Sequence, residues 1–262
     1  SSPAAPVITQ TGSAVAVVVG DFSVNFDKLT GLLNGIKSGD QIFSLTNGPR
    51  PAIGTMDLTR LSTGIFNGTA VVTARYSGNL KQVVWRIRSR NRMECDYIYQ
   101  FRGTNDYFGV LFDYPESMVK AKRWIGDGPY RVWKNRREGV AFGFWENEYN
   151  NTITGWRDWI YPEFKGCFAD VRWLQLDTTE GRITVEPHHV PFVQVLTPEF
   201  PPAKLGGHTI PSVPGCGLGF LDAIPPVGSK FQSADVVGPA GGFPAGRGAY
   251  HGSVVFQFGK LP

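Results

Sequence analysis

Charge is scarce in this chain of 262 residues: Asp, Glu, Lys and Arg make up 18% of it, against roughly 25% in an average soluble domain. The 26 Lys and Arg against 22 Asp and Glu leave a net charge of +4. These basic residues are scattered, no basic stripe forms, and a nucleic-acid partner is not expected. Nowhere do about eighteen apolar residues run together, which leaves no candidate for a membrane helix. Nor does any segment hold a 3.6-residue apolar spacing for more than about ten residues, so a helical bundle is excluded. Cysteine and histidine are rare as well. Cys95, Cys167 and Cys216 are odd in number and lack C-x-x-C spacing; they read as buried or incidental thiols rather than a disulfide framework or metal site. His188, His189, His208 and His251 show no ligand spacing and no carboxylate cluster supplies it, so neither a metal nor a cofactor is expected. Residues 1–12 lack the basic segment and apolar core of a secretion signal. They read as a linker, followed by one large domain over residues 13–262 that is excised from a longer protein.

Abundance lies elsewhere, in Gly (32), Pro (19) and alternating apolar residues. Val83, Trp85 and Ile87 alternate with Val84, Arg86 and Arg88, and Met93, Cys95, Tyr97, Tyr99 and Phe101 alternate with Glu94, Asp96, Ile98, Gln100 and Arg102. A period of two marks strands with one buried face. Ala14 to Val19 and the FSVNF that follows Gly20-Asp21 predict further strands, and Asp27-Lys28-Leu29-Thr30-Gly31 supplies hairpin chemistry. Asp106–Tyr114, Val119–Ile125, Arg172–Asp177, Ile183–Glu186, Phe192–Leu196 and a closing strand through Val254, Phe256 and Phe258 complete the series. Between Thr46 and Thr63, Pro49 and Pro51 predict a loop. From Pro198 to Gly248, Pro and Gly clusters with the anchors Phe220, Leu221, Ile224 and Phe231 predict an ordered loop system. The fold class is therefore all-β, a large antiparallel sandwich whose loops carry the function.

One stretch, Trp124 to Trp173, holds six of the seven tryptophans. Trp124 and Trp173 fall on predicted strands and read as core, whereas Trp133, Trp156 and Trp159 lie in loops. Sugar rings present apolar C–H faces that pack on Trp or Tyr, while their hydroxyls pair with Asn, Arg, Lys and carboxylates. Two loops offer that mixture: Tyr130, Arg131, Trp133, Lys134, Asn135 and Arg136 in the first, Trp156, Arg157, Trp159, Tyr161, Glu163 and Lys165 in the second. They are the candidate carbohydrate-binding residues, or residues that meet another domain, since aromatics and Arg are also enriched at interfaces.

Several blocks resemble the C-terminal domain of family 2 β-galactosidases, the small chain. The opening FSVNFDKLTGLLNGIKSGDQIF is similar to that domain's first hairpin, and Trp124-Ile125-Gly126-Asp127-Gly128-Pro129 resembles its W-x-G-x-G-P signature. Asp170-Val171-Arg172-Trp173-Leu174 and Ala249-Tyr250-His251-Gly252-Ser253-Val254-Val255-Phe256 resemble its later strands. The resemblance implies a two-sheet, galactose-mutarotase-like supersandwich, a parent with a catalytic barrel, and a β-galactoside or plant-type glycan as ligand. For such a parent a bacterial periplasmic or secreted setting is expected. Departures from the family pattern are the loop Phe231–Gly248, which lacks its Trp, and Glu163-Phe164-Lys165-Gly166 in place of its Glu-Asn-Gly.

No catalytic residue is assigned. Retaining glycosidases need two carboxyl groups about 5 Å apart. Trp145-Glu146-Asn147-Glu148 contains an Asn-Glu pair, but such a pair stands at the end of a barrel strand and this chain has no β/α repeat; the segment reads as a solvated loop. An autonomous mutarotase, epimerase or lyase on the same fold is the alternative. It would use His188, His189 or His251 with Glu186 or Glu163 for proton transfer, or Tyr130 with Arg131, or Tyr161 with Lys165, as base and charge neutraliser. The histidines read as surface or turn residues, because neighbours on a strand point to opposite faces.

Overall fold

The computed structural model describes residues 4–152, 160–200, 210–229 and 231–260. Five short strands open the chain: β1 (Val7–Gln10), β2 (Ala14–Val19), β3 (Phe22–Asp27), β4 (Leu33–Ser38) and β5 (Gln41–Phe43). Then come β6 (Thr46–Pro51), β7 (Met56–Phe66), β8 (Thr69–Gly78), β9 (Leu80–Arg88), β10 (Arg92–Thr104), β11 (Phe108–Asp113), β12 (Val119–Gly128) and β13 (Ala141–Glu148). The series ends with β14 (Gly166–Ala169), β15 (Trp173–Thr178), β16 (Arg182–His188), β17 (Phe192–Val195), β18 (Leu218–Ala223) and β19 (Ala245–Gly259). β1 falls in the stretch read as a linker, where the β-branched Val7-Ile8-Thr9 pairs with β2.

Nine strands form one sheet in the order β13-β12-β15-β16-β19-β10-β9-β8-β7; two five-stranded sheets, β1-β2-β3-β4-β5 and β14-β17-β18-β11-β6, form the other layer. Aromatic contacts show that both small sheets cover the same face of the large one. Trp85 on β9 meets Phe26 of the first small sheet at 5.6 Å between ring centroids and Phe112 of the second at 6.2 Å. On β19, Phe258 meets Phe22 and Phe43, while Phe256 meets Phe112 and Phe220. The expected all-β antiparallel sandwich is observed, its second layer divided into two hydrogen-bonded sheets. The period-two reading of β9 and β10 holds: Val83, Trp85, Ile87, Met93, Cys95, Tyr97, Tyr99 and Phe101 are all buried. The three cysteines are free thiols, Cys95 and Cys167 buried.

Three expectations need correction. Pro198–Gly248 is not all loop, because β18 lies inside it, pairs with β11 and β17 and carries Phe220 and Leu221, and β19 begins there. Thr46–Thr63 is not a loop, because β6 and most of β7 occupy it. Each of those strands is a sheet edge, where Pro49 and Pro51 can sit without breaking a ladder on both sides; the pairing of β6 with β11 is accordingly irregular. The segment Trp145–Glu148 is likewise not a loop but the end of edge strand β13. Its pattern misleads because Phe142 and Phe144 lie on the solvent face, 60% and 57% exposed. Trp145 turns the other way, into the space left by Gly128 and Gly143.

Candidate functional site

The site is built on the β12 turn. Trp124 is buried and its indole N–H donates to the Asp127 carbonyl at 3.0 Å, while the Trp145 indole N–H donates to the Gly126 carbonyl at 3.1 Å. A Cβ on Gly126 would stand 2.8 Å from the Val171 Cα, and one on Gly128 2.5 Å from the Trp145 ring. Both glycines are therefore required by close approach, and the Gly-Pro step that follows sends the chain out as the first candidate loop.

That loop is fastened on three sides. The Val132 N–H donates to the Cys167 carbonyl on β14, the Trp133 and Arg136 backbones pair with each other, and the Lys134 N–H donates to the Pro225 carbonyl. Asn135 exchanges two hydrogen bonds with the Val227 backbone, each 2.8 Å, and the Lys134 ammonium donates to the Ala240 carbonyl at 2.8 Å. The Trp133 ring is buried, 6.2 Å from Phe200 and 5.4 Å from the Arg131 guanidinium.

The fold brings the two candidate loops together. Tyr130 and Tyr161 meet edge to face at 5.5 Å, and the Arg131 guanidinium donates to the Glu163 carboxylate at 3.4 Å and to the Lys165 carbonyl at 3.5 Å. The Lys165 ammonium, itself buried, donates to Glu116 at 2.7 Å and lies 3.6 Å from Glu199. Burial lowers the affinity of the Arg131 guanidinium for its proton, and Glu163 opposes that effect. At Glu116 burial acts to raise the carboxyl, but hydrogen bonds from Lys165 and Tyr149 outweigh it and hold it below the usual range. Tyr130 and Tyr161 remain 40% and 43% exposed, beside an exposed Ile160 and with Arg136 also at the surface. Trp156, Arg157 and Trp159 lie outside the described residues.

Sequence reasoning missed Lys122 beneath this surface. Its side chain is fully buried, donates to the Phe164 carbonyl and lies within 5 Å of the Trp124, Phe164 and Phe168 ring centroids (4.9, 4.5 and 3.7 Å). Burial, with Arg131 nearby, pushes its ammonium well below the ordinary lysine value. The signal was available: Lys122 shares the inward face of β12 with Trp124, two residues on. Asn147 and Asn150 were also missed; both donate to the Pro162 carbonyl and fix the second loop.

The acid pairs and histidines fall elsewhere. Glu146 is exposed and accepts from Arg123 at 2.8 Å. Glu163 accepts from Arg131 at 3.4 Å. His189 and His251 share a depression on the outer face of the nine-stranded sheet, lined by neither Glu163 nor Glu186. Among the described residues no group of three His, Cys, Asp or Glu could hold a metal ion, and no helix is long and apolar enough to cross a membrane.

Residues 56–200, just over half of the chain, match the family described as Beta galactosidase small chain. A search of curated proteins finds no match. Among solved structures, the galactose 1-epimerase from Lactobacillus acidophilus NCFM aligns with a TM-score of 0.49 and 10% identity, covering 98% of both chains. A protein from Salmonella typhimurium described as a mutarotase (YeaD) aligns with a TM-score of 0.49 and 11% identity, covering 98% of this chain and 94% of that one.

Proposed function

The chain belongs to the β-galactosidase small-chain family, and from that premise we propose that it is a non-catalytic accessory domain of a β-galactosidase-like glycoside hydrolase that binds a galactoside-type glycan across Tyr130 and Tyr161. The observation that carries the reading is the exposed edge-to-face pair of these two rings, set over the buried Arg131–Glu163 contact. A sugar's C–H face packs on such rings at little conformational cost, and the exposed Arg136 of the same loop is a donor for its hydroxyls. Trp133, Lys134 and Asn135 serve by holding the loop rather than by touching the ligand. The bonds of Lys134 to Pro225 and Ala240, of Asn135 to Val227, and of Trp133 to Arg136 keep Tyr130 in place, and preorganisation of this kind favours affinity.

The geometry gives no support to a lyase here. The Lys165 ammonium is buried against Glu116 and the Arg131 guanidinium is turned to Glu163, so neither stands ready to neutralise a uronate. The expected outcome is that the chain turns over no aryl-β-galactoside; turnover that disappears in Glu163→Gln or Glu148→Gln would overturn the reading.

A second reading, packing against the catalytic barrel of a parent chain, is favoured by one observation. Register places Phe144, Ile125 and Trp173 side by side across β13, β12 and β15 on the outer face, with Phe142 one pleat away. An exposed apolar row of this kind suits a protein surface better than a sugar. The two readings separate on which variants lose which partner: Phe142→Ser with Phe144→Ser would weaken docking to the barrel, and Tyr130→Ala with Tyr161→Ala would weaken glycan binding.

A further inference from the structure

Histidine is rare in the chain, four in all, yet two of them, His189 and His251, line one depression. β16 pairs with β19 so that His188 lies opposite Ser253, and His251 stands two residues earlier on the same outer face. Directly after β16, His189 adopts a left-handed backbone with φ of 59°, a conformation that costs a non-glycine residue about a kcal/mol or more. The turn brings its ring over the strands, where it lines a depression of about 340 Å³ together with His251. Its lining also includes Gln82, Arg86, Asp96 and Ser253, with Val84 and Ile98 among its apolar members. Sheet register explains the assembly. Val84, Asp96 and Ser253 form one row across β9, β10 and β19, and Gln82, Ile98 and His251 form the next.

The charges in this depression are matched. Arg86 pairs with Asp96 and lies 3.6 Å from Glu94, so its positive charge is already opposed on two sides. An anion would meet the Asp96 carboxylate, and a cation would meet the Arg86 guanidinium. What remains is a set of donors and acceptors beside apolar side chains, which is the pattern of a small-molecule site of ~300–1,000 Å³. A neutral polyol with one C–H face fits it: the face rests on Val84 and Ile98, and the hydroxyls reach Gln82, Asp96, Ser253 and the two imidazoles.

We propose that the depression between His189 and His251 is a binding site for a neutral pyranose, separate from the Tyr130–Tyr161 surface. The two sites occupy different strands: β9, β10 and β19 in the middle of the large sheet carry this one, and the loops after β12 and before β14 carry the other.

The test is an NMR titration of the 262-residue chain with methyl β-D-galactopyranoside and methyl β-D-glucopyranoside, following the His189 and His251 ring signals, with galacturonate as the charged comparison. The expected result is saturable movement of both imidazole signals by at least one neutral glycoside, and weaker binding of galacturonate. That response persists in Tyr130→Ala/Tyr161→Ala and falls at least ten-fold in affinity in His251→Ala or Gln82→Ala. Imidazole signals that stay unmoved at saturating glycoside in the wild-type chain overturn the proposal without any variant needing to fold. Tighter binding of galacturonate than of both neutral sugars, or loss of the response in the tyrosine variant, overturns it as well. Because the tyrosine variant tests the other surface, failure here leaves the accessory-domain reading standing, and the reverse holds too.

Discussion

Replacing Trp133 by Ala separates the two roles that aromatic residues play in this site. The indole is 8% exposed, packs against Phe200 at 6.2 Å and lies 5.4 Å from the Arg131 guanidinium. Truncating a buried Trp costs about 3–5 kcal/mol through lost transfer and the cavity left behind. In a chain of this size each kcal/mol lowers Tm by roughly 2–4 °C, so Trp133→Ala is expected to melt about 6–20 °C below wild type. Tyr161 is 43% exposed and meets Tyr130 edge to face. Such a pair is worth about 0.5–1.5 kcal/mol, so Tyr161→Ala is expected to lose only about 1–6 °C. Circular dichroism melts of both variants decide the matter. A Trp133→Ala protein that melts within about 2 °C of wild type, or above Tyr161→Ala, would refute the assignment of Trp133 to loop support.

Asp222 yields a pH prediction. Burial raises its carboxyl to about 6, with the Tyr99 hydroxyl bond acting in the opposite direction. Between roughly pH 4, the unfolded value, and pH 6 the folded chain holds more protons than the unfolded one, so stability falls as pH rises through that window by up to about 3 kcal/mol. Asp222→Asn should flatten the slope; identical unfolding curves against pH for variant and wild type would contradict it. At Gly109 an added Cβ would stand 2.3 Å from the Phe220 carbonyl oxygen, between the paired strands β11 and β18. Gly109→Ala is therefore expected to cost about 2 kcal/mol or more in denaturant unfolding, because neither backbone can yield; a cost under about 0.5 kcal/mol would show that the strands can shift.

How much of this was legible in the sequence depends on whether burial and polarity agree. On β9 and β10 every inward position is apolar and most outward ones are polar, so the alternation of Trp85, Cys95 and Tyr97 with Arg86, Glu94 and Asp96 declared both strands. On β13 the agreement fails, with Phe142 and Phe144 outside and Gly143 inside, and the strand was lost. The prolines of β6 point to a break when read locally; only the topology shows that β6 is an edge, where they are tolerated. Both candidate loops were legible from their aromatic and charged content. Their meeting through Tyr130–Tyr161 and Arg131–Glu163 was not, since about thirty residues of chain separate the partners. Nor was the commitment of Asn135 to Val227, 92 positions away.

The central claim is that Tyr130 and Tyr161 form a glycan-binding surface on a domain that does no chemistry. Titration calorimetry of the 262-residue chain with methyl β-D-galactopyranoside and a β-galacto-oligosaccharide, run beside the Tyr130→Ala/Tyr161→Ala variant and an aryl-β-galactoside assay, tests it most directly. The account predicts binding of the oligosaccharide without turnover, weakened at least ten-fold in the double variant while its fold is kept. Equal binding by the two proteins, or turnover by the chain, would contradict it.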